Sequence, residues 1–126
     1  MPKHAFQPEG RPQPQPPYSP VVAAGKTVYT AGQTGTDADG NLVGGGIAAQ
    51  TRQTLENVRA CVEAAGCTMD DVVKVNAYLA DLADFAAYND VYREFFAEPY
   101  PARTSVQAGL PAGLLIEIEA IARRGR

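Results

Sequence analysis

Residues 47–80 read IAAQTRQTLENVRACVEAAGCTMDDVVKVNAYLA, and the hydrophobic period changes within them. From Ile47, apolar or tolerant positions recur at Thr51, Leu55, Val58, Val62 and Ala65. That spacing lays one buried stripe along a helix, and Gly66 stands where a left-handed C-terminal cap belongs. After a short break the period drops to two. Val73, Val75, Ala77 and Leu79 alternate with Lys74, Asn76, Tyr78 and Ala80, as in a half-buried strand. A helix that hands over to a strand in so few residues belongs to a layered helix-on-sheet domain.

Working outward, the pattern repeats on both sides. Upstream, Val21–Ala24 and Thr27–Ala31 flank Gly25-Lys26, which reads as a two-residue β-hairpin turn. A loop rich in Gly and Asp runs from Gly32 to Gly46. Downstream, Asp81 can cap a second helix whose stripe is Phe85, Tyr88, Tyr92 and Phe95 or Phe96, closed by Glu98-Pro99-Tyr100-Pro101. Arg103 to Ala108 is a further strand region. In the last, Leu115 to Ala122, Ile116, Ile118, Ala120 and Ala122 share one face and Leu115, Glu117, Glu119 and Ile121 the other. The predicted order is β-β-α-β-α-β-β, an α+β fold in two layers with both helices on one face of the sheet. The other face mixes Val, Tyr, Leu, Ile and carboxylates, and a homo-oligomer interface is its expected use.

Seven of the ten prolines lie between Pro2 and Pro20. Residues 1–17 are therefore expected to form a proline-rich arm outside any regular ladder, with a single domain over residues 18–126.

The 126 residues carry 11 Lys and Arg against 14 Asp and Glu, a formal charge of −3, which is no footprint for nucleic acid. The basic cluster Arg123, Arg124 and Arg126 reads as a solvated tail. No run approaches membrane-spanning length and the N-terminus lacks the apolar core of a secretory signal, so no membrane partner and a cytoplasmic location are expected. Cys61 and Cys67 are too few for a zinc site and are spaced wrongly for a redox pair. Cys61 reads as small filler on a helix.

The candidate chemistry is narrow. The one histidine, His4, falls in the arm, which argues against a histidine general base or a Ser-His or Cys-His pair. The glycines from Gly32 to Gly46 match no phosphate-binding loop. Arg103 and Glu117 remain. In YPARTSVQAGLP, residues 100–111, the arginine heads an otherwise uncharged strand of small residues and has no obvious local acid. A cation so placed suits two-pronged capture of a carboxylate, and a glutamate on a neighbouring strand could hold a water beside it.

With these residues in view, the chain resembles the RidA/YjgF/YER057c/UK114 family, the reactive-intermediate imine deaminases. PARTSV followed by IEIEAIA is similar to the family's C-terminal signature; PPYSPVV, VYTAGQTG, QTRQTLENVRACVEAAG and DLADFAAYNDVYREFF are similar to its other segments in the same order. The resemblance implies a chorismate-mutase-like fold of the bacillary type, a homotrimer, and active sites in the clefts between subunits. It implies a hydrolase acting on C=N bonds, like the 2-iminobutanoate/2-iminopropanoate deaminases. Such an enzyme turns 2-aminoacrylate-type enamines and imines into 2-keto acids and ammonia without metal or organic cofactor.

By the same resemblance Arg103 binds the substrate carboxylate and Glu117 positions or activates water. Tyr18, Ala31, Gly32, Asn89 and Ser105 are the implied pocket residues. Ala31 stands where a Ser is common in the family, and Ser105 where a Cys is common. Two other functions stay open: a pathway-specific deaminase of an aminomuconate-type acid, and a non-enzymatic trimer that binds small carboxylates.

Overall fold

The computed structural model describes residues 2–125. Seven strands and two helices follow in the order β1 (Lys3–Phe6), β2 (Val21–Ala24), β3 (Thr27–Thr30), β4 (Gln33–Thr34), α1 (Gly46–Ala64), β5 (Val72–Leu79), α2 (Phe85–Phe95), β6 (Ala102–Gln107) and β7 (Ile116–Arg123). From β2 onward this is the expected order with one addition, the two-residue β4. The sheet runs β1-β2-β3-β7-β5-β6, with β4 also pairing β7. Only β5 and β6 are parallel, and α2 makes the crossover between them.

Alternation decides which way each strand faces. Val75, Ala77 and Leu79 of β5, Ile116, Ile118, Ala120 and Ala122 of β7, and Val21, Ala23 and Val28 of the hairpin are buried. They meet Leu55, Val58 and Val62 of α1 and Tyr88, Val91 and Tyr92 of α2 in one core. Both helices thus cover one face of a mixed sheet. Local signals agree with the residues that carry them. Gly25 takes φ 60° in the hairpin turn, where Ala24 pairs Thr27. Gly66 takes φ 87°, its N–H bonds Glu63 O at 3.0 Å, and Cys67 N–H bonds Val62 O at 2.9 Å. That pair of bonds is a Schellman closure of α1. Asp81 caps through Oδ1, which accepts from the Ala83 N–H at 2.9 Å, but it starts a 3₁₀ turn that leads into α2.

Three expectations change. The proline-rich start was expected to stay out of regular pairing, yet Lys3–Phe6 forms an antiparallel edge strand on β2, with Phe6 opposite Val21. These four residues lie between Pro2 and Pro8, so no missing N–H interrupts the ladder. Val73 was placed with the buried set but is 48% exposed. A register shift between Val72 and Lys74 makes it a bulge, which turns the residue out of the alternation. Arg124 is not a solvated tail: Nη1 donates to Ala65 O at 3.2 Å and Nε to Gly25 O at 3.3 Å. The cation closes the C-terminal end of α1, where it suits both the free carbonyls and the helix dipole. Arg126 lies outside the described residues.

Candidate functional site

β6 is the edge strand that carries Arg103. It pairs in register with β5, which sets Arg103 beside Val75 and Ser105 beside Ala77. Both therefore project to the helix side. There the Arg103 guanidinium carbon lies 4.7 Å from the ring centre of Tyr92, 5.0 Å from Tyr88 and 5.6 Å from Phe85. The helical spacing of these aromatics aims all three at the strand, and their rings meet edge-on at 5.8 and 5.7 Å. Among the described residues no carboxylate forms an ion pair with Arg103. Aromatic faces hold the cation over their π surfaces, the Tyr88 hydroxyl also interacts with it, and donors remain for a ligand.

A cavity of about 280 Å³ opens at this point, lined by Asn89, Tyr92, Arg93, Tyr100, Pro101 and Arg103. Ser105, two residues along β6 from Arg103, is not one of the cavity's lining residues; its hydroxyl lies 3.0 Å from that of Tyr88. The expected set of Arg103, Asn89 and Ser105 is thus brought together by β6 and α2. Tyr88 and Tyr92, read from the sequence only as core stripe, belong to the same cluster. Their buried phenols are pushed above the ordinary tyrosine range by desolvation, which Arg103 partly opposes. Among the described residues the buried Tyr92 hydroxyl has no hydrogen-bond partner.

Glu117 is elsewhere. It pairs with Tyr78 on one side and Thr34 on the other, and so it projects to the open face of the sheet, opposite to Arg103. Burial raises its carboxyl above the usual carboxylate range, and the neighbouring Glu119 raises it further. Tyr78 donates its hydroxyl to Glu119 at 3.2 Å. Ala31 and Gly32 sit beside this group because the pairing with β7 slips. Tyr29 faces Ile121 but Gln33 faces Ile118, so four steps on one chain meet three on the other. This bulge leaves the Ala120 N–H without a strand partner, and the Thr30 hydroxyl accepts it at 3.0 Å. Gly32 then packs so closely that a Cβ there would collide with the Glu117 carboxylate. The Ala31 N–H bonds Pro20 O at 2.8 Å, which ties the bulge to the segment of Tyr18. Tyr18 is 54% exposed and shares a second cavity with Gly32 and Gln33.

The seven expected residues therefore form two groups on opposite faces: Arg103, Asn89 and Ser105 in one, Glu117, Gly32, Ala31 and Tyr18 in the other. Among the described residues no cluster of three or more His, Cys, Asp or Glu could hold a metal ion. Among the described residues no helix is long and apolar enough to cross a membrane.

Residues 8–124 match the family described as Endoribonuclease L-PSP. A RutC family protein of Pyrococcus horikoshii is 50% identical over 116 residues, 90% of this chain and 92% of that protein. The 2-iminobutanoate/2-iminopropanoate deaminase of Homo sapiens is 44% identical over 111 residues, 86% of this chain and 81% of that one. The crystal structure of RidA from an Antarctic Psychrobacter superposes with a TM-score of 0.89 at 43% identity, over 96% of this chain and 99% of that chain.

Proposed function

Because the chain belongs to the Endoribonuclease L-PSP family, we propose that it hydrolyses the imines of 2-keto acids, the reaction named for its mammalian relatives. The observation that carries this reading is Arg103, a cation with no carboxylate partner, laid on three rings at the mouth of a cavity. The substrate's carboxylate fills the vacant partner's place through two parallel N–H bonds.

Arg103 and Glu117 project from opposite faces of one sheet, so a single copy cannot present both to one small molecule. The reaction site is shared: the Arg103 group of one copy meets the Glu117 group of a second across a subunit boundary. Tyr29, Val106 and Val73 are exposed apolar groups that association would cover. A closed ring of three copies uses this heterologous contact and leaves no open end.

In the shared site the enamine tautomerises to its imine and its carboxylate binds Arg103. Water held by Glu117 adds to the imine carbon; the carboxylate takes the water's proton and returns it to nitrogen. The carbinolamine then collapses: its hydroxyl proton passes by way of the Glu117 carboxylate to the amino nitrogen, the C–N bond breaks, and the keto acid forms as neutral ammonia leaves. A carboxyl raised toward neutrality can accept and release that proton, and an imine needs no stronger nucleophile than an oriented water. The reaction as written calls on no metal or organic cofactor. Ribonuclease chemistry, which the family description names, fits less well, since Glu117 and Glu119 would repel a phosphodiester. We place the protein in the cytoplasm, where the buried thiols of Cys61 and Cys67, neither of them in a disulfide, would stay reduced.

The test is ammonia release from an enamine generated in place by a dehydratase or an amino-acid oxidase, alongside light scattering. Release of ammonia by a species of three chain masses is expected. A fully active monomer would overturn the shared site. Binding of pyruvate without ammonia release from any enamine would leave a carboxylate-binding protein instead.

A further inference from the structure

The proline-rich arm is tied to the Glu117 group by a continuous chain of contacts. The Gln7 side-chain amide donates to the main-chain oxygens of Arg11 and Pro12, both at 3.1 Å, which folds the arm into a tight turn. From that turn Arg11 Nη2 reaches Asn57 Oδ1 at 2.6 Å and Thr36 O at 3.1 Å. Asn57, 3% exposed on α1, is the hub. Its Nδ2 donates to Thr34 O and Thr36 O, both at 2.8 Å, and its Oδ1 also accepts from Gln53 at 2.9 Å. Thr34 is the strand partner of Glu117, and Gly32 abuts the Glu117 carboxylate. Arg11, Tyr18, Gly32, Thr34 and Asp37 are parts of the wall of one cavity of about 270 Å³ between the arm and this loop.

Two features set Arg11 apart from an ordinary surface cation. Its guanidinium meets neutral acceptors, and among the described residues no carboxylate forms an ion pair with it. The acceptors also belong to different elements, a helix side chain and a loop carbonyl, so one group joins arm, α1 and loop. A charge-assisted bond at 2.6 Å to an asparagine that is itself fully committed leaves little freedom to any of the three.

We propose that Arg11 is a positioning residue for the Glu117 side of the site: by clamping the arm and the Gly32–Thr36 segment onto Asn57, it fixes the surface against which the Glu117 carboxylate and Tyr18 are set. The proposal deepens the imine-deaminase reading and rests on it. Arg11 touches neither substrate nor the reacting atoms. Its effect reaches turnover through the geometry of Glu117 and leaves the carboxylate clamp at Arg103, on the other face, unchanged.

Arg11→Met keeps the apolar stem and removes the donors; Arg11→Lys keeps one cationic donor head. The expected result for Arg11→Met is a fall in kcat of about tenfold, with pyruvate affinity by calorimetry held within about twofold. Arg11→Lys should recover part of the loss. Deuterium uptake at the amides of residues 33–37 should quicken in Arg11→Met and quicken less in Arg11→Lys. Parental kcat in Arg11→Met, an equal loss of kcat and pyruvate affinity, or no advantage of Lys over Met would each overturn the proposal. Unchanged uptake at residues 33–37 would overturn the clamp itself, whatever the activity. If the parent releases no ammonia from any enamine, the deaminase reading fails separately, and the clamp still stands or falls on the exchange data.

Discussion

Arg103 and Glu117 lie on opposite faces of the same sheet, and their surroundings treat charge in opposite ways. Arg103 rests on the faces of Phe85, Tyr88 and Tyr92, which favour its positive form without supplying an anion. Glu117 is partly desolvated, stands near Glu119, and is walled by Gly32, so its negative form is disfavoured. One environment makes a permanent binder and the other a group that exchanges protons readily. The difference matches the proposed roles, in which the cation selects the substrate and the carboxylate moves the water's proton.

The sharpest way to break this division is Glu117→Gln. It keeps size and hydrogen bonding but cannot accept a proton, so turnover should fall by at least about a hundredfold while pyruvate still binds. The parent's activity should decline as pH falls through the raised Glu117 value, above the range where an ordinary glutamate protonates. Glu119 on the same strand and Tyr78 on β5 are the titratable neighbours facing it, and both help hold that value up or register its charge. Stability runs the other way. A carboxyl raised by folding contributes fully below its unfolded pKa, and that contribution is lost as pH rises through the folded value. Glu117→Gln should therefore keep its thermal midpoint at neutral pH or gain slightly. A lower midpoint with intact turnover would show that the carboxylate is structural.

Much of this arrangement could be read before the fold was seen, and the rest fails for identifiable reasons. Alternation in Leu115–Ala122 separates Glu117 from Ile116 and Ile118, and the structure keeps that separation. Of the aromatic stripe, Tyr88 and Tyr92 on α2 and Phe96 just past it are buried as read, whereas Phe85 at the helix start stays 38% exposed. What alternation within one strand cannot give is the register between strands. Arg103 faces the helices because it pairs Val75, and a slip of one residue would have put it on the face of Glu117. The residues alone thus could not tell that the two charged groups project from opposite faces, although the family resemblance already implied active sites between subunits. β1 was missed because proline density was averaged over a segment whose first ladder holds none, and Arg124 because its acceptors, Gly25 O and Ala65 O, are far away in sequence.

The second test acts on the binding side. Arg103→Lys keeps the charge but loses the flat fork that both stacks on the rings and grips a carboxylate at two points. Pyruvate affinity and kcat/KM should fall together, by roughly ten- to a hundredfold. A variant that loses turnover while it binds pyruvate like the parent would reverse the assignment of roles.

Gly32→Ala tests how finely the Glu117 side is set. The backbone at Gly32 does not need positive φ, so a methyl there strains nothing locally. Its collision is with the mobile end of Glu117, which can swing away at little cost in folding energy. The expected result is a thermal midpoint close to the parent's and a kcat lowered about tenfold, with pyruvate affinity kept. If the midpoint drops sharply instead, the contact is packing and the carboxylate has no room to yield.

The smallest effect belongs to the hydroxyl beneath Arg103. Tyr88 is fully buried, and its OH meets Ser105 Oγ at 3.0 Å. Tyr88→Phe removes that bond but leaves the ring against Arg103 and in edge contact with Phe85 and Tyr92. Losing one neutral hydrogen bond costs about 0.5–1.5 kcal/mol, so a fall of a few degrees in thermal midpoint is expected. Pyruvate affinity should change by less than about threefold, because three ring faces remain under the guanidinium when its contact with the Tyr88 hydroxyl is lost. Tyr88→Leu provides the contrast, since it removes the π face and should weaken pyruvate binding more than Tyr88→Phe does. Equal losses in the two variants would mean that the hydroxyl, through Ser105, orients the ligand, and the aromatic support of Arg103 would no longer explain why this cation stands without an acid.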